Sequence, residues 1–156
     1  MIVFTDGSAL NNGKRNCVAA CGIVWVNGEF PPEGFKLPQN ELHTNNRAEY
    51  MAAIRALDQA NEIDPECKET LTIYTDSKLM VESVTKWASS WELNGWKKSN
   101  GSPVKNMDLV KKLHAHNKHR KVEWIHTRAH TGQDTFESRW NDVADRLARD
   151  AAKNVN

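Results

Sequence analysis

Ile2-Val3-Phe4-Thr5-Asp6-Gly7-Ser8 decides how this chain is read: a β-branched and aromatic run ends on an acid, a glycine and a serine. The run predicts a buried strand over residues 2–5, with Asp6 at its carboxyl end and a turn-forming Gly-Ser beyond it. A second run of the same kind, Leu71-Thr72-Ile73-Tyr74-Thr75, ends on Asp76 and Ser77. In open α/β sheets, ligands gather in the crevice beyond the carboxyl ends of the strands. If the two strands are parallel neighbours, their terminal carboxylates meet.

Outward from these two strands, residues 18–26 are β-like and follow a Gly-Lys-Arg-Asn turn. Residues 29–37 form a weaker strand whose Pro31 and Pro32 suit an edge or an irregular entry. Tyr50, Met51, Ile54 and Leu57 recur at helical spacing within a helix predicted over 47–62, and Asp64-Pro65 closes it. Further helices are predicted over 77–90, 106–118 and 138–153, with a strand over 122–127 and a tryptophan- and lysine-bearing excursion over 91–103. Three leading strands, then helix, strand, helices, strand and helix define an α/β chain with a mixed sheet. The sequence has no internal repeat and no low-complexity segment.

With 156 residues and 39% hydrophobic content, one globular domain over 1–156 is expected. Its core should bury roughly two thirds of the extended-chain surface. No apolar run approaches the ~20 residues needed to span a bilayer, and no leader precedes the first strand, so a cytoplasmic location without membrane contact is expected. Cys17, Cys21 and Cys67 are an odd count without ligand spacing and read as reduced thiols. The net charge is only +1, yet eight of the 21 Lys and Arg fall between residues 96 and 121 against the single acid Asp108. That concentration marks one face as a candidate for binding phosphates.

Two more acids stand in comparable settings, Glu49 in Thr44-Asn45-Asn46-Arg47-Ala48-Glu49 and Asp145 in Asn141-Asp142-Val143-Ala144-Asp145-Arg146-Leu147-Ala148. Mg²⁺ prefers carboxylate and water oxygens in octahedral geometry, so acids gathered from distant parts of a chain suit a divalent site acting on phosphodiesters. Each acid also has an ordinary explanation. Asp6 and Asp76 suit turns, Glu49 suits a capping box, and Asp142 and Asp145 can pair with Arg146 and Arg149 along a helix. His130 also reads as an exposed loop histidine, the commoner fate of a lone His in so polar a stretch. Four independent accidents in this order are a poor account of the whole.

Thr-Asp-Gly-Ser, Thr-Asn-Asn-Arg-x-Glu, Thr-Asp-Ser and Ala-Asp-x-Leu-Ala, spread over residues 2–152, resemble the motifs of the type 1 ribonuclease H family. The resemblance implies a five-stranded mixed sheet flanked by helices and an endonuclease that hydrolyses the RNA strand of RNA/DNA hybrids with little sequence preference. It implies two Mg²⁺ ions, with Mn²⁺ as a substitute, held by Asp6, Glu49, Asp76 and Asp145, and products with 3′-hydroxyl and 5′-phosphate ends. The loop histidine of the family, thought to serve proton transfer or product release, matches His130. Asp145 rather than Asp142 is in register because Arg146-Leu147-Ala148 follows it.

The same resemblance implies the substrate contacts. Gly7, Ser8 and Ser77 flank the acids. Asn12, Asn45 and Asn46 match residues of the minor groove or nearby backbone, where the 2′-hydroxyl distinguishes RNA from DNA. Thr44 and Asn106 match a pair that holds a DNA phosphate, and Asn141 matches a polar partner one turn before Asp145. Trp87 and Trp91 match tryptophans of a DNA channel, though four-residue spacing on a helix suits a core equally well. Trp96, Lys97, Lys98 and Lys105 belong to what resembles a basic protrusion. Its start, Trp91-Glu92-Leu93-Asn94-Gly95, carries none of the Lys or Arg usual in bacterial relatives, so modest hybrid affinity is expected. Residues 132–140 make the loop after His130 longer than the common pattern. A monomer without a separate hybrid-binding domain is expected. A catalytically silent hybrid-binding module and a DNA-processing nuclease of the same superfamily are the alternatives.

Overall fold

The computed structural model describes residues 1–128 and 134–154. Strands β1 (Ile2–Leu10), β2 (Val18–Trp25), β3 (Glu33–Lys36), β4 (Leu71–Thr75) and β5 (Val122–His126) form one sheet in the order β3-β2-β1-β4-β5. β1, β2 and β3 pair antiparallel, whereas β4 lies parallel to β1 and β5 parallel to β4. The sheet is the mixed one expected, and the strand after Pro31-Pro32 is an edge. β1 is central because both of its faces are apolar. Val3 packs into the larger core and Phe4 into the smaller one, and neither is exposed.

Helix α1 (Asn45–Ile63) covers one face of β1 and β2, with α4 (Met107–His119) leaning on it. Thr44 starts α1, its hydroxyl accepting the Arg47 N–H at 3.1 Å. Ala48, Ala52, Ala53, Ala56 and Ala60 are fully buried, so the helix presents a thin face and lies close to the sheet. At Gly7 the approach is closest, since a β-carbon there would stand 2.5 Å from the Glu49 nitrogen. Helix α5 (Phe136–Lys153) covers the opposite face of β1, β2 and β3, where Phe4 stacks on Tyr74 at 4.4 Å. Such a pair contributes about 0.5–1.5 kcal/mol beyond its buried area.

Four predicted elements differ from those observed, the first being the strand expected over 29–37, which pairs only over Glu33–Lys36 because Pro31 and Pro32 have no N–H to give the ladder. β1 does not stop at Thr5: its ladder with β2 continues through Leu10–Val18, while its pairing with β4 ends at Phe4–Tyr74. Asp6 therefore lies within a strand, at the point where its parallel neighbour departs. The single helix expected over 77–90 is α2 (Lys78–Glu82), a π-helical turn (Ser83–Trp87) and α3 (Ala88–Leu93). In that rod the Thr85 hydroxyl donates back to the Val81 carbonyl at 2.6 Å. α5 begins at Phe136 rather than Ser138, because the Thr135 hydroxyl accepts the Ser138 N–H at 3.1 Å and caps the helix two residues early. Much of the apparent loop insertion over 132–140 is thus helix.

Candidate active site

The crevice opens where β1 runs on and β4 turns away. Ser77 ends β4's path by capping α2, its hydroxyl accepting the Met80 N–H at 3.2 Å, which leaves Asp76 at the lip. Glu49, on the first turns of α1, reaches the same point because Gly7 admits α1 so closely. One carboxylate oxygen from each of Asp6, Glu49 and Asp76 lies within 4.8 Å of the other two. The Gly7 N–H braces two of the three, donating to Asp6 Oδ1 at 2.9 Å and Glu49 Oε1 at 3.0 Å. Asp145 enters from the other face of the sheet. Gly22, opposite Asp6 in the ladder, lets α5 descend at Ala144, and Asp145 follows at the rim.

Burial and like charge set the electrostatics of this cluster. Asp6 is 2% and Glu49 3% exposed. Burial first, then the charges of Glu49 and Asp76, raise the Asp6 carboxyl far above the ordinary carboxylate range. Burial and the charge of Asp76 raise Glu49 as well, against the opposing effect of the Gly7 N–H. Asp6 Oδ2 is buried with no hydrogen-bond partner among the described residues. An orphaned carboxylate oxygen beside two further carboxylates is the environment that a hard divalent cation satisfies. Supports lie one layer out: the Thr75 hydroxyl donates to Glu49 Oε2 at 3.4 Å and accepts the Ser77 N–H at 3.1 Å. A ring nitrogen of His126 lies 3.2 Å from the Asp76 carbonyl oxygen.

A hollow of about 480 Å³ holds the acids with Gly7, Ser8, Asn45, Asn46 and Ser77. A neighbouring hollow of about 630 Å³ shares Asn45 and Asn46 and adds Asn12, Thr44, Lys105 and Asn106. Asn12 is tied in through its side-chain oxygen, which accepts the Asn45 N–H at 3.1 Å. The structure therefore joins most of the sequence-predicted residues into two adjoining depressions. Trp87, Trp91, Trp96, Lys97 and Lys98 line neither hollow; they belong to the π-helical turn, α3 and the segment after it, and the Trp87 and Trp91 rings stand 5.8 Å apart. Trp91 also packs on the core, whereas Trp87 is 38% exposed. Asn141 is buried, its side-chain oxygen accepting the Thr127 hydroxyl at 3.3 Å, and is open to neither hollow. His130 lies outside the described residues.

Arg47 was not among the residues singled out by sequence, yet it organises the second hollow. Its guanidinium binds Asp108 in bidentate fashion at 3.0 and 2.8 Å and donates to Asn106 Oδ1 at 3.3 Å. Asn106 sits in the left-handed region at φ 56°, a conformation that this contact helps to hold. The signal was present in its place directly after Asn45-Asn46, but its partner lies sixty-one residues away.

Two parallel strands parting over a buried acidic cluster, with a polar hollow alongside, define an α/β protein whose carboxylates gather in one crevice. The RNase H family model matches residues 1–153, and the chain belongs to that family. It is 36% identical to human ribonuclease H1 over 153 residues, covering 98% of this chain and 50% of that protein. It is 39% identical to the ribonuclease H of Aeromonas salmonicida, covering 96% of this chain and 88% of that one. The solution structure of the PFV RNase H domain superposes with a TM-score of 0.75 at 25% identity, covering 97% of this chain and 93% of that domain. The chain spans about half the length of the mammalian relatives it matches.

Proposed function

We propose that this chain is a metal-dependent endonuclease that hydrolyses the RNA strand of RNA/DNA hybrids with little sequence preference. The observation that carries the reading is the convergence of Asp6, Glu49 and Asp76 within 4.8 Å where β1 and β4 separate. Two Mg²⁺ ions, replaceable by Mn²⁺, would be held by these three acids and Asp145. When bound, they supply activation of water and stabilisation of the leaving oxygen.

The chain's own residues do the positioning. The Gly7 N–H fixes the inner oxygens of Asp6 and Glu49, and the Thr75 hydroxyl steadies Glu49's outer oxygen. Asn45 and Asn46, at the start of α1 and shared by both hollows, would meet a minor groove whose 2′-hydroxyls mark the RNA strand. Thr44, Lys105 and Asn106 line a depression suited to a phosphate of the other strand. The Thr44 hydroxyl is engaged in capping and the Arg47 guanidinium in its pair with Asp108, so of the two cations lining that depression Lys105 is the one that would meet a phosphate. Lys97 and Lys98 would add affinity without sequence preference, and Trp87 and Trp91 would flank the DNA strand. His130 would assist proton transfer or product release, and the products would carry 3′-hydroxyl and 5′-phosphate ends.

A labelled hybrid, a matched RNA duplex and a matched DNA duplex, each with Mg²⁺ or EDTA, test the proposal. Cleavage of the hybrid alone, stopped by the chelator, is expected. Cleavage of the DNA duplex would favour a DNA-processing nuclease. Asp76→Asn should abolish cleavage while hybrid binding persists, and undiminished cleavage by that variant would refute the metal role.

A further inference from the structure

The four acids are not equivalent. Asp6, Glu49 and Asp76 form a compact trio, and Asp145 stands outside it. Asp145 lines the same hollow and is near enough to add to the upward push on the Asp6 carboxyl. One of its two oxygens is nonetheless engaged, because Oδ2 lies 3.0 Å from Arg149 Nη2. Both residues belong to α5 and are four apart, with the acid nearer the N-terminus, the favourable order for such a pair. The Asp145 side chain is 14% exposed and that of Arg149 53%, so the guanidinium reaches from solvent to the rim of the acidic hollow. The trio is held differently: its recorded supports, the Gly7 N–H and the Thr75 hydroxyl, are neutral donors that leave the carboxylate charge uncompensated.

We propose that Arg149 is a positioning residue that competes with a divalent cation for Asp145, and so sets the affinity of the outer of two cation positions. The inference rests on the metal-dependent reading above. A carboxylate oxygen bound to a guanidinium attracts a second cation less strongly, and the guanidinium charge itself repels a divalent ion brought close to it. The inner position, formed by the trio, lies beyond this competition. Two cations would then load in separate steps, a tight one at Asp6, Glu49 and Asp76 and a weaker one at Asp6 and Asp145. Loading the weaker position would require Asp145 to exchange its Arg149 contact for the ion. Full occupancy would follow the free divalent concentration rather than being permanent.

The test is a substrate-free titration of the whole chain with Ca²⁺ by calorimetry and with Mn²⁺ by electron paramagnetic resonance. The unmodified protein should bind in two resolved steps. Arg149→Met should tighten the weaker step by roughly three- to tenfold and leave the tight step within about twofold, the scale expected from losing a partly exposed ion pair and its charge. Arg149→Lys, which keeps the charge, should restore the weak step toward its original affinity. In an Asp145→Asn background the Arg149 substitution should shift the weaker step by less than it does in the parent, because only the charge repulsion is left to lose. Equal shifts in both steps, no shift, or a weakened outer step in Arg149→Met would overturn the proposal. Absence of any divalent binding by the unmodified chain would overturn the proposed function and this inference with it, an outcome distinct from an Arg149 substitution that leaves two-step binding unaltered.

Discussion

The carbonyl oxygen of Ala144 lies 2.2 Å from where a β-carbon on Gly22 would stand. The neighbour is backbone, so it cannot yield as a flexible side chain does. Gly22→Ala must therefore push α5 off the sheet at the point where Asp145 approaches Asp6. The expected result is a loss of about 1–3 kcal/mol or more in stability, read from the denaturant midpoint. Divalent affinity should fall with it. An unchanged midpoint would mean that α5 is not held as closely as its contact with β2 indicates.

Asp6 illustrates a conflict between stability and function. Its folded-state carboxyl is raised by burial and by neighbouring charge. The folded protein therefore holds a proton that the unfolded chain, with an ordinary aspartate near ~3.9, has released. Stability in EDTA should accordingly decline as pH rises above about 4. Asp6→Asn removes that penalty, and its Tm in EDTA should exceed that of the parent at pH 7 by roughly 3–8 °C, the scale of about 1–2 kcal/mol in a domain of this size. Added Mg²⁺ should raise the parent's Tm and leave the variant's nearly unmoved. A lower Tm for Asp6→Asn in EDTA would refute this reading.

The order of elements and the four acids were legible because each rests on local pattern. Apolar runs at 2–5 and 71–75 ended in acids, and the α1 periodicity stood before an Asp-Pro stop, although the helix starts at Asn45 and not at Arg47. What stayed hidden depended on distant partners. Gly7-Ser8-Ala9-Leu10 resembles a turn, yet it stays extended because β2 pairs with it to Leu10 while β4 leaves. The π-helical turn at Ser83–Trp87 has no period that separates it from α-helix over five residues. Arg47 and Asp108 identify each other only once α1 and α4 are packed. The ordinary reading of Asp145 as a partner of Arg149 and its reading as a site residue were posed as alternatives, and the geometry contains the ion pair within the acidic hollow.

The far end of α1 carries a pH-dependent support of the opposite sign. Asp64 accepts the backbone N–H groups of Glu69 and Lys68 and pairs with the buried Arg120 at 2.5 Å. The Glu69 N–H first, then the Lys68 N–H and Arg120, hold its carboxyl below the ordinary aspartate range. A depressed folded-state value stabilises above the unfolded value of about 3.9 and is lost as pH falls through the folded one. Asp64→Asn should thus be less stable than the parent at pH 7, with the gap in Tm closing below about pH 4. A gap that stays constant down to pH 2 would place the effect in packing rather than in the charge.

Lys105 offers the last test, because it lines the hollow with Thr44 and Asn106 where a phosphate would sit. A lysine that neutralises one phosphate releases counterion on binding, so log K falls with log salt by about 0.7–0.9 per contact. Lys105→Met should therefore weaken hybrid binding about equally across sequences and flatten that slope by roughly one contact. Lys68 is the matched control. It pairs with Glu66 at 2.8 Å beyond the opposite end of α1, a helix of 19 residues. At 1.5 Å per residue that is about 28 Å from the hollow. Lys68→Met should leave the slope unchanged. If both substitutions flatten it alike, the attraction is a diffuse field of the whole surface, and the hollow beside Asn106 holds no phosphate.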